Sequence, residues 1–360
     1  MTLPLAGITV LDFSTLLPGP LTTLILAEAG ARVIKVERPG GEDMRGFPPH
    51  VEGTSAPFAV LNAGKESLVL DLKAPDAMEC LRPLLTTCDV LVEQFRPGVM
   101  DRLGLGYETL SAANPRLIYC SITGYGQDGP RAGEAGHDLN YQAVTGLLSL
   151  APSMPAALVA DIAGGAMPAV MNILLALRQR DLTGRGSRLD IAMADAMFTF
   201  AWFALAEGAA TGRYPGAHEN LLAGGSPRYA LYPTRDGRYL AVGALEQKFW
   251  MAFCEAIALA PALRDDRADP SATRAEVARL VAARDAGEWQ AALASRDCCC
   301  TIVASLAEAT SDPHFAARGL FGARAHLSSG STLPGTPLPI GPHLRRDPQE
   351  VRTVPGLDED

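Results

Sequence analysis

Positive charge is scarce in this sequence: 31 Lys and Arg stand against 40 Asp and Glu over 360 residues, a formal net charge of -9. No cationic excess is available to neutralise a phosphate backbone, so general nucleic-acid binding is not expected, while local basic pockets for one anionic ligand are compatible with the balance. Apolar runs of membrane length are missing too. The longest, over 166–177 and 196–206, fall short of the roughly 20 residues that a spanning helix needs, and Asp195 and Glu207 close the second. The first eight residues lack a basic segment followed by an apolar one, and no signal peptide is expected. Cysteines do not pair by spacing. Seven is an odd number, and no two form Cys-x-x-Cys. The triplet Cys298-Cys299-Cys300 reads as small buried residues of a strand running into Thr301-Ile302-Val303, rather than as a metal or redox centre. A reduced, cytoplasmic setting is the expectation, with no membrane, nucleic-acid or metal partner.

What is present is a globular composition, 48% hydrophobic and 20% charged, long enough for two packed domains. Strand and helix signals alternate along the first half. Ile8-Thr9-Val10-Leu11-Asp12-Phe13 reads as a strand, Pro18-Gly19-Pro20 as a break, 21–29 as a helix stopped by Gly30, and Val33-Ile34-Lys35-Val36-Glu37 as the next strand. Such a βαβ unit implies a parallel sheet. Further strands are expected over 67–72, 90–93, 116–122 and 188–193, and helices over 76–87, 166–180 and 194–210. No G-x-G-x-x-G occupies the first turn, where Leu16-Leu17-Pro18-Gly19-Pro20 lacks the glycines that let a pyrophosphate approach, so a dinucleotide cofactor is not supported. After Thr211 glycine and proline accumulate. Residues 229–233 and 238–242 around Thr234-Arg235-Asp236-Gly237 read as a β-hairpin, followed by helices over 247–260 and 271–283. The expected architecture is α/β. A Rossmann-like large domain with a parallel sheet spans 1–197, with a C-terminal return over 340–360 whose last residues, 356–360, fray. A linker over 198–235, a smaller mixed α/β domain over 236–326 and a return linker over 327–339 complete it.

Three short strings carry candidate chemistry. Gly136-His137-Asp138-Leu139-Asn140-Tyr141 suits a helix that begins beside a ligand, with free first-turn N–H groups and an acid near the positive end of the helix dipole. From composition alone, a capped helix with an incidental histidine is the plainer reading. Asp161-Ile162-Ala163-Gly164-Gly165 sets a carboxylate before two glycines that permit close approach by a ligand, or else Asp161 is an ordinary N-cap. Glu246, in Gly243-Ala244-Leu245-Glu246, lies at the end of the hairpin's second strand, where a solvated acid is the plain alternative. Anion handles come earlier: Arg38 after a strand, Lys65 in the turn Asn62-Ala63-Gly64-Lys65, and Arg96 after another strand. Singly they read as surface charges, and together they offer a local cationic site for phosphates.

On these residues the chain resembles the α-methylacyl-CoA racemase branch of the class III CoA-transferase family, also called CaiB/BaiF. The similarity runs from Leu5 to about Pro339. It includes Val36-Glu37-Arg38-Pro39-Gly40, Leu68-Val69-Leu70-Asp71-Leu72-Lys73, Asn114-Pro115-Arg116-Leu117-Ile118-Tyr119 and the string from Gly136 to Tyr141. The tail Gly341-Pro342-His343-Leu344-Arg345-Arg346 departs from the family's usual ending. The resemblance implies His137 and Asp161 as acid–base groups and Glu246 as the partner of the histidine. It also implies an interlocked homodimer in which Glu246 acts across the subunit boundary. CoA is implied along Arg38, the turn Leu61, Asn62, Ala63, Gly64 with Lys65, Arg96, and Gly136, Asp138, Leu139, Asn140 and Tyr141.

The implied reaction interconverts (R)- and (S)-2-methylacyl-CoA thioesters. One base removes the α-proton, an enolate forms, and a second acid returns a proton from the other face. No cofactor is implied, since CoA enters as the thioester of the substrate. The alternative is a class III CoA-transferase in which Asp161 is a nucleophile that forms an aspartyl-CoA thioester. A non-catalytic acyl-CoA-binding protein is a third reading.

Overall fold

A short apolar strand recurs after each crossover of the first half, and the six stack side by side. The computed structural model describes residues 2–357. The strands are β1 (Thr9–Asp12), β2 (Arg32–Glu37), β3 (Glu66–Val69), β4 (Val90–Glu93), β5 (Ile118–Thr123) and β6 (Ser187–Ala192). They lie in the order β3-β2-β1-β4-β5-β6 and are parallel throughout. All residues of β4 and β5 are buried, as central strands covered on both faces must be. The order reverses between β1 and β4. At such a point an α/β sheet opens a crevice beyond the carboxyl ends of its strands.

Helix α1 (Pro18–Glu28) starts earlier than expected. Pro18-Gly19-Pro20 is its first turn and not a break, because the first turn of a helix has no use for the proline N–H. Every residue of α1 is buried. Helix α2 (Ala56–Asn62) is capped by Ser55, whose hydroxyl accepts the Phe58 N–H at 3.3 Å. Helix α3 (Asp138–Val144) begins inside the string at 136–141, with His137 at its N-cap. Residues Ala160–Ala166 form a π-helix that runs directly into α4 (Met167–Thr183). Together Ala160–Thr183 make 24 helical residues, long and apolar enough to cross a membrane by length and composition, which corrects the shorter span expected at 166–177. This helix packs against α1, β5 and β6.

The single helix expected over 194–210 is two, α5 (Met193–Phe200) and α6 (Trp202–Thr211), separated where Ala201 leaves helical geometry at ψ 8°. The break falls where the chain passes between two compact units. Among the described residues the first holds the chain up to Thr145, Pro155–Thr199 and the segment from Pro313 to Leu357, and the second holds Gly146–Met154 and Phe200–Asp312. Trp202–Thr211 and Tyr229–Pro233, inside the expected linker, are thus a helix and a strand. Thr332–Pro334, in the expected return linker, is also a strand. Fraying was expected over 356–360, and residues 358–360 lie outside the described residues.

In the second unit the expected hairpin forms. Strands β7 (Tyr229–Pro233) and β8 (Tyr239–Gly243) pair antiparallel, and Gly237 takes a φ of 78° in the turn. Strand β9 (Cys300–Ile302) pairs with β8. Helices α7 (Gln247–Ala256), α8 (Pro270–Val281) and α9 (Ala286–Leu293) close the unit around Trp250, Phe253, Val277 and Trp289. The cysteine triplet is not one buried strand. Cys298 is buried, Cys299 is exposed with a left-handed φ of 52°, and only Cys300 enters β9.

Candidate active site

Beyond the carboxyl ends of the central strands lies a cavity of about 460 Å³, and both His137 and Asp161 line it. Gly136, Asn140, Tyr141 and Arg96 share its wall, with Thr15, Leu16 and Pro18 after β1 and Met193 after β6. All belong to the first unit.

His137 precedes the first turn of α3 in extended backbone geometry. Its own N–H is held by the Asn140 side chain at 3.0 Å, and its ring is exposed. Tyr141 fixes the approach to that turn. Its hydroxyl donates to the Gly136 carbonyl at 2.6 Å, and its ring packs edge-on against Tyr125. A Cβ at Gly124 or Gly136 would come within 2.5 or 2.7 Å of that ring, so only glycine fits at these two positions.

Asp161 sits in the first turn of the π-helix and is not its N-cap, a position held by Val159. Its N–H donates to Asp138 Oδ1 at 3.0 Å, and Asp138 Oδ2 accepts from Gln142 Nε2 at 2.6 Å. Asp138 is therefore buried beneath the cavity as a second carboxylate beside the first. Burial chiefly, and then the Asp138 charge, push the Asp161 carboxyl up to about 6, while His137 pulls the other way. The same surroundings push the Tyr141 hydroxyl up to about 12. The glycines after Asp161 do not admit a ligand, as the sequence suggests. A Cβ on Gly164 would lie 2.7 Å from the Met193 carbonyl oxygen, and one on Gly165 would lie 3.0 Å from Pro18. They serve helix packing.

The loop after β1 rests on buried charge. Lys35 Nζ donates to the Ser14 carbonyl at 2.8 Å and pairs with Glu42 at 2.8 Å, and Glu42 accepts the Leu16 N–H at 2.7 Å. Leu16 itself takes a φ of 62°, a strained value for a leucine. Across the cavity, Gln94 accepts the Gly19 N–H at 2.9 Å. Nothing in the local sequence announces these supports; they join residues 7 to 75 positions apart.

Other expected residues lie elsewhere. Lys65 is not an exposed cation. Its ammonium is fully buried, 3.2 Å from Asp12 and 2.8 Å from Asn62 Oδ1. Burial opposes ionisation of Asp12, but the charges of Lys65 and Lys35 and two hydroxyl donors outweigh it and hold the carboxyl at about 2. Asn62, Leu61 and Ala63 are buried at the end of α2, and Gly64 donates to the Thr353 carbonyl. Arg38 is exposed, pairs with Asp43 and donates to the Gly41 carbonyl at 2.9 Å. None of these lines the cavity, nor do Asp138 and Leu139. Arg96 does, and its guanidinium has no hydrogen bond or ion pair among the described residues. Glu246 belongs to the second unit, where it precedes α7 and is exposed. No group of three or more His, Cys, Asp or Glu among the described residues converges as a metal site.

With this geometry in view, comparison with known proteins is decisive. The model of CoA-transferase family III matches residues 5–360. The chain belongs to CoA-transferase family III. The human alpha-methylacyl-CoA racemase is 35% identical over 359 residues, which cover 96% of this chain and 90% of that protein. The acetyl-CoA:oxalate CoA-transferase of Acetobacter aceti is 34% identical over 372 residues, 99% of this chain and 93% of that one. A crystal structure of a CaiB/BaiF family protein from Brucella suis superposes with a TM-score of 0.80 at 31% identity, covering 95% and 93% of the two chains. CoA-transferase family III thus holds both chemistries at nearly equal distance from this chain, and the choice between them rests on the site.

Proposed function

We propose that this member of CoA-transferase family III is a racemase of 2-methylacyl-CoA thioesters. The observation that carries the reading is that an imidazole and a carboxyl near pKa 6 line one cavity. A carboxyl shifted toward neutrality is a better proton carrier than an ordinary aspartate, because both of its protonation states are accessible near physiological pH. One of the pair, deprotonated, takes the α-proton of the thioester. The electrons of the broken C–H bond move onto the thioester oxygen as an enolate. The other group, protonated, then delivers its proton to the opposite face of the carbon. Glu246, acting across the subunit boundary of a homodimer, orients His137 of the other copy and stabilises its imidazolium form. Arg96, unpaired at the cavity wall, is the cation for a phosphate of CoA. An interlocked homodimer belongs to the same reading, and apolar Met171, Leu174 and Leu175, exposed on α4, support association with a second copy.

Transfer of CoA uses Asp161 differently, as a nucleophile on the thioester carbonyl. What favours proton transfer is the imidazole lining the same cavity, for which transfer of CoA has no use. The test is incubation of one enantiomer of a 2-methylacyl-CoA in deuterium oxide, with and without an added carboxylate. Racemisation with deuterium at the α-carbon is the expected result. CoA on the added carboxylate with no exchange would establish transfer instead. Binding without either would leave an acyl-CoA carrier.

A further inference from the structure

We propose that Arg228, anchored by Asp266, is a positioning residue for Glu246. The inference rests on the racemase reading, in which Glu246 serves His137, and it concerns how the second unit presents that carboxylate. Glu246 is exposed and makes no side-chain hydrogen bond or ion pair among the described residues, so nothing directly holds its side chain. Its two neighbours, however, are held by one guanidinium, through the Leu245 backbone carbonyl on one side and the Gln247 side chain on the other. Arg228 Nη1 donates to the Leu245 carbonyl at 3.2 Å, and Nη2 donates to Gln247 Oε1 at 2.9 Å. These are the two residues that flank Glu246.

The guanidinium is itself fixed. Its Nε and Nη2 both reach Asp266 Oδ1, at 3.0 and 2.6 Å, and both side chains are almost completely buried, at 13% and 8% exposure. Its plane lies over the Trp250 ring, 5.1 Å from the centroid, and that indole donates to the Arg264 carbonyl at 2.7 Å. Arg is suited to this task and Lys is not, because a planar fork can satisfy a carboxylate, a carbonyl and an amide oxygen in fixed directions at once. The rest of the turn is tight: Leu245 N–H returns to the Gly243 carbonyl at 3.0 Å, and the Glu246 carbonyl accepts the Trp250 N–H that opens α7. A fold needing only a helix start there would be served by the helix bond alone. Burying an ion pair to pin both neighbours of one exposed acid points to a requirement on where that acid is presented.

A positioning role predicts coupling. The rate of α-deuterium exchange is measured with full-length wild type, E246Q, R228Q and the double variant, on one enantiomer of a 2-methylacyl-CoA. In the wild-type background R228Q lowers kcat by ~10–100-fold with KM little changed, the penalty of misplacing a group by about an ångström. In the E246Q background the same substitution changes kcat by less than about 2-fold, because the group that it positioned is already gone. An equal factor in both backgrounds makes Arg228 a general scaffold residue and overturns the inference. If E246Q by itself leaves kcat unchanged, the role given to Glu246 is what fails, and the inference falls with it. R228Q exposes Asp266 to an unpaired burial and can lose the fold. Q247A, which deletes only one arm of the grip at an exposed side chain, carries the same two-background test with a smaller loss of kcat. Equal effects of Q247A in both backgrounds overturn the inference in the same way.

Discussion

The carboxylate of Asp138 accepts the backbone N–H of Asp161, so one acid of the candidate site is seated on another. The contact fixes the start of the π-helix and keeps a negative charge close to the Asp161 carboxyl. Exchanging Asp138 for asparagine retains an acceptor but removes the charge. Burial, the larger cause, remains. The Asp161 pKa is therefore expected to fall from about 6 part of the way toward ordinary aspartate, and the acidic limb of the exchange rate should move to lower pH. A pH–rate profile that keeps its acidic limb in place would assign that limb to another group.

Stability should show the same linkage. A carboxyl whose pKa is higher in the folded than in the unfolded chain favours folding where it is protonated and loses that contribution as pH rises through the folded value of about 6. Replacing Asp161 by asparagine should stabilise the protein more at about pH 8 than at about pH 4, by roughly 1–2 kcal/mol after discounting for its partial exposure, read as a larger rise in Tm at the higher pH. Catalysis, in contrast, should be lost. Thermal melts at the two pH values check the first part, and a larger gain at the acidic end would reverse the sign.

Loss of the imidazole should separate chemistry from binding. His137→Ala is expected to slow deuterium exchange by ~10²–10⁴-fold, the usual worth of a general acid–base group, with CoA affinity nearly unchanged. Isothermal titration with CoA beside the exchange assay measures both. Parallel losses would make His137 a binding or folding residue.

Lys65 belongs to the core and should behave so. Lys65→Ala leaves Asp12 buried with part of its compensation removed, and such a broken pair costs about 3–5 kcal/mol. A urea titration should show the midpoint falling sharply. A variant as stable as the parent would contradict the buried pair.

Glycine at 164 is a packing requirement, open to the simplest test. A methyl group there must displace the Met193 backbone, and Gly164→Ala should destabilise by roughly 1–3 kcal/mol as overpacking does, measurable as a fall in Tm. An unchanged Tm would mean that α5 moves freely against the π-helix.

Much of this was legible in the residues because it is local. The β-branched runs at Thr9–Asp12 and Arg32–Glu37, the Asp-Gly turn at 236–237 and the string at 136–141 each carry their structure in a few consecutive side chains. What was not legible depends on partners far along the chain. Lys65 looks like a surface cation in its turn, and only the fold brings Asp12, 53 positions earlier, to meet it. Asp138 reads as a dipole-favoured first-turn acid, yet it supports residue 161. Glycines 164 and 165 look like ligand clearance until Met193 and Pro18 are placed against them. Arg228 shows no motif at all, since Asp266 lies 38 residues away.

The π-helical turn at Ala160–Ala166 has a consequence for how this chain tolerates length changes. Such a turn accommodates one residue more than an α-helical register would. Deleting Ile162, ahead of the two packing glycines, would restore an uninterrupted α-helix through Thr183, comfortable for the backbone, while rotating Asp161 by about 100° relative to α4. A deletion that looks harmless to the fold would aim the carboxylate away from the imidazole.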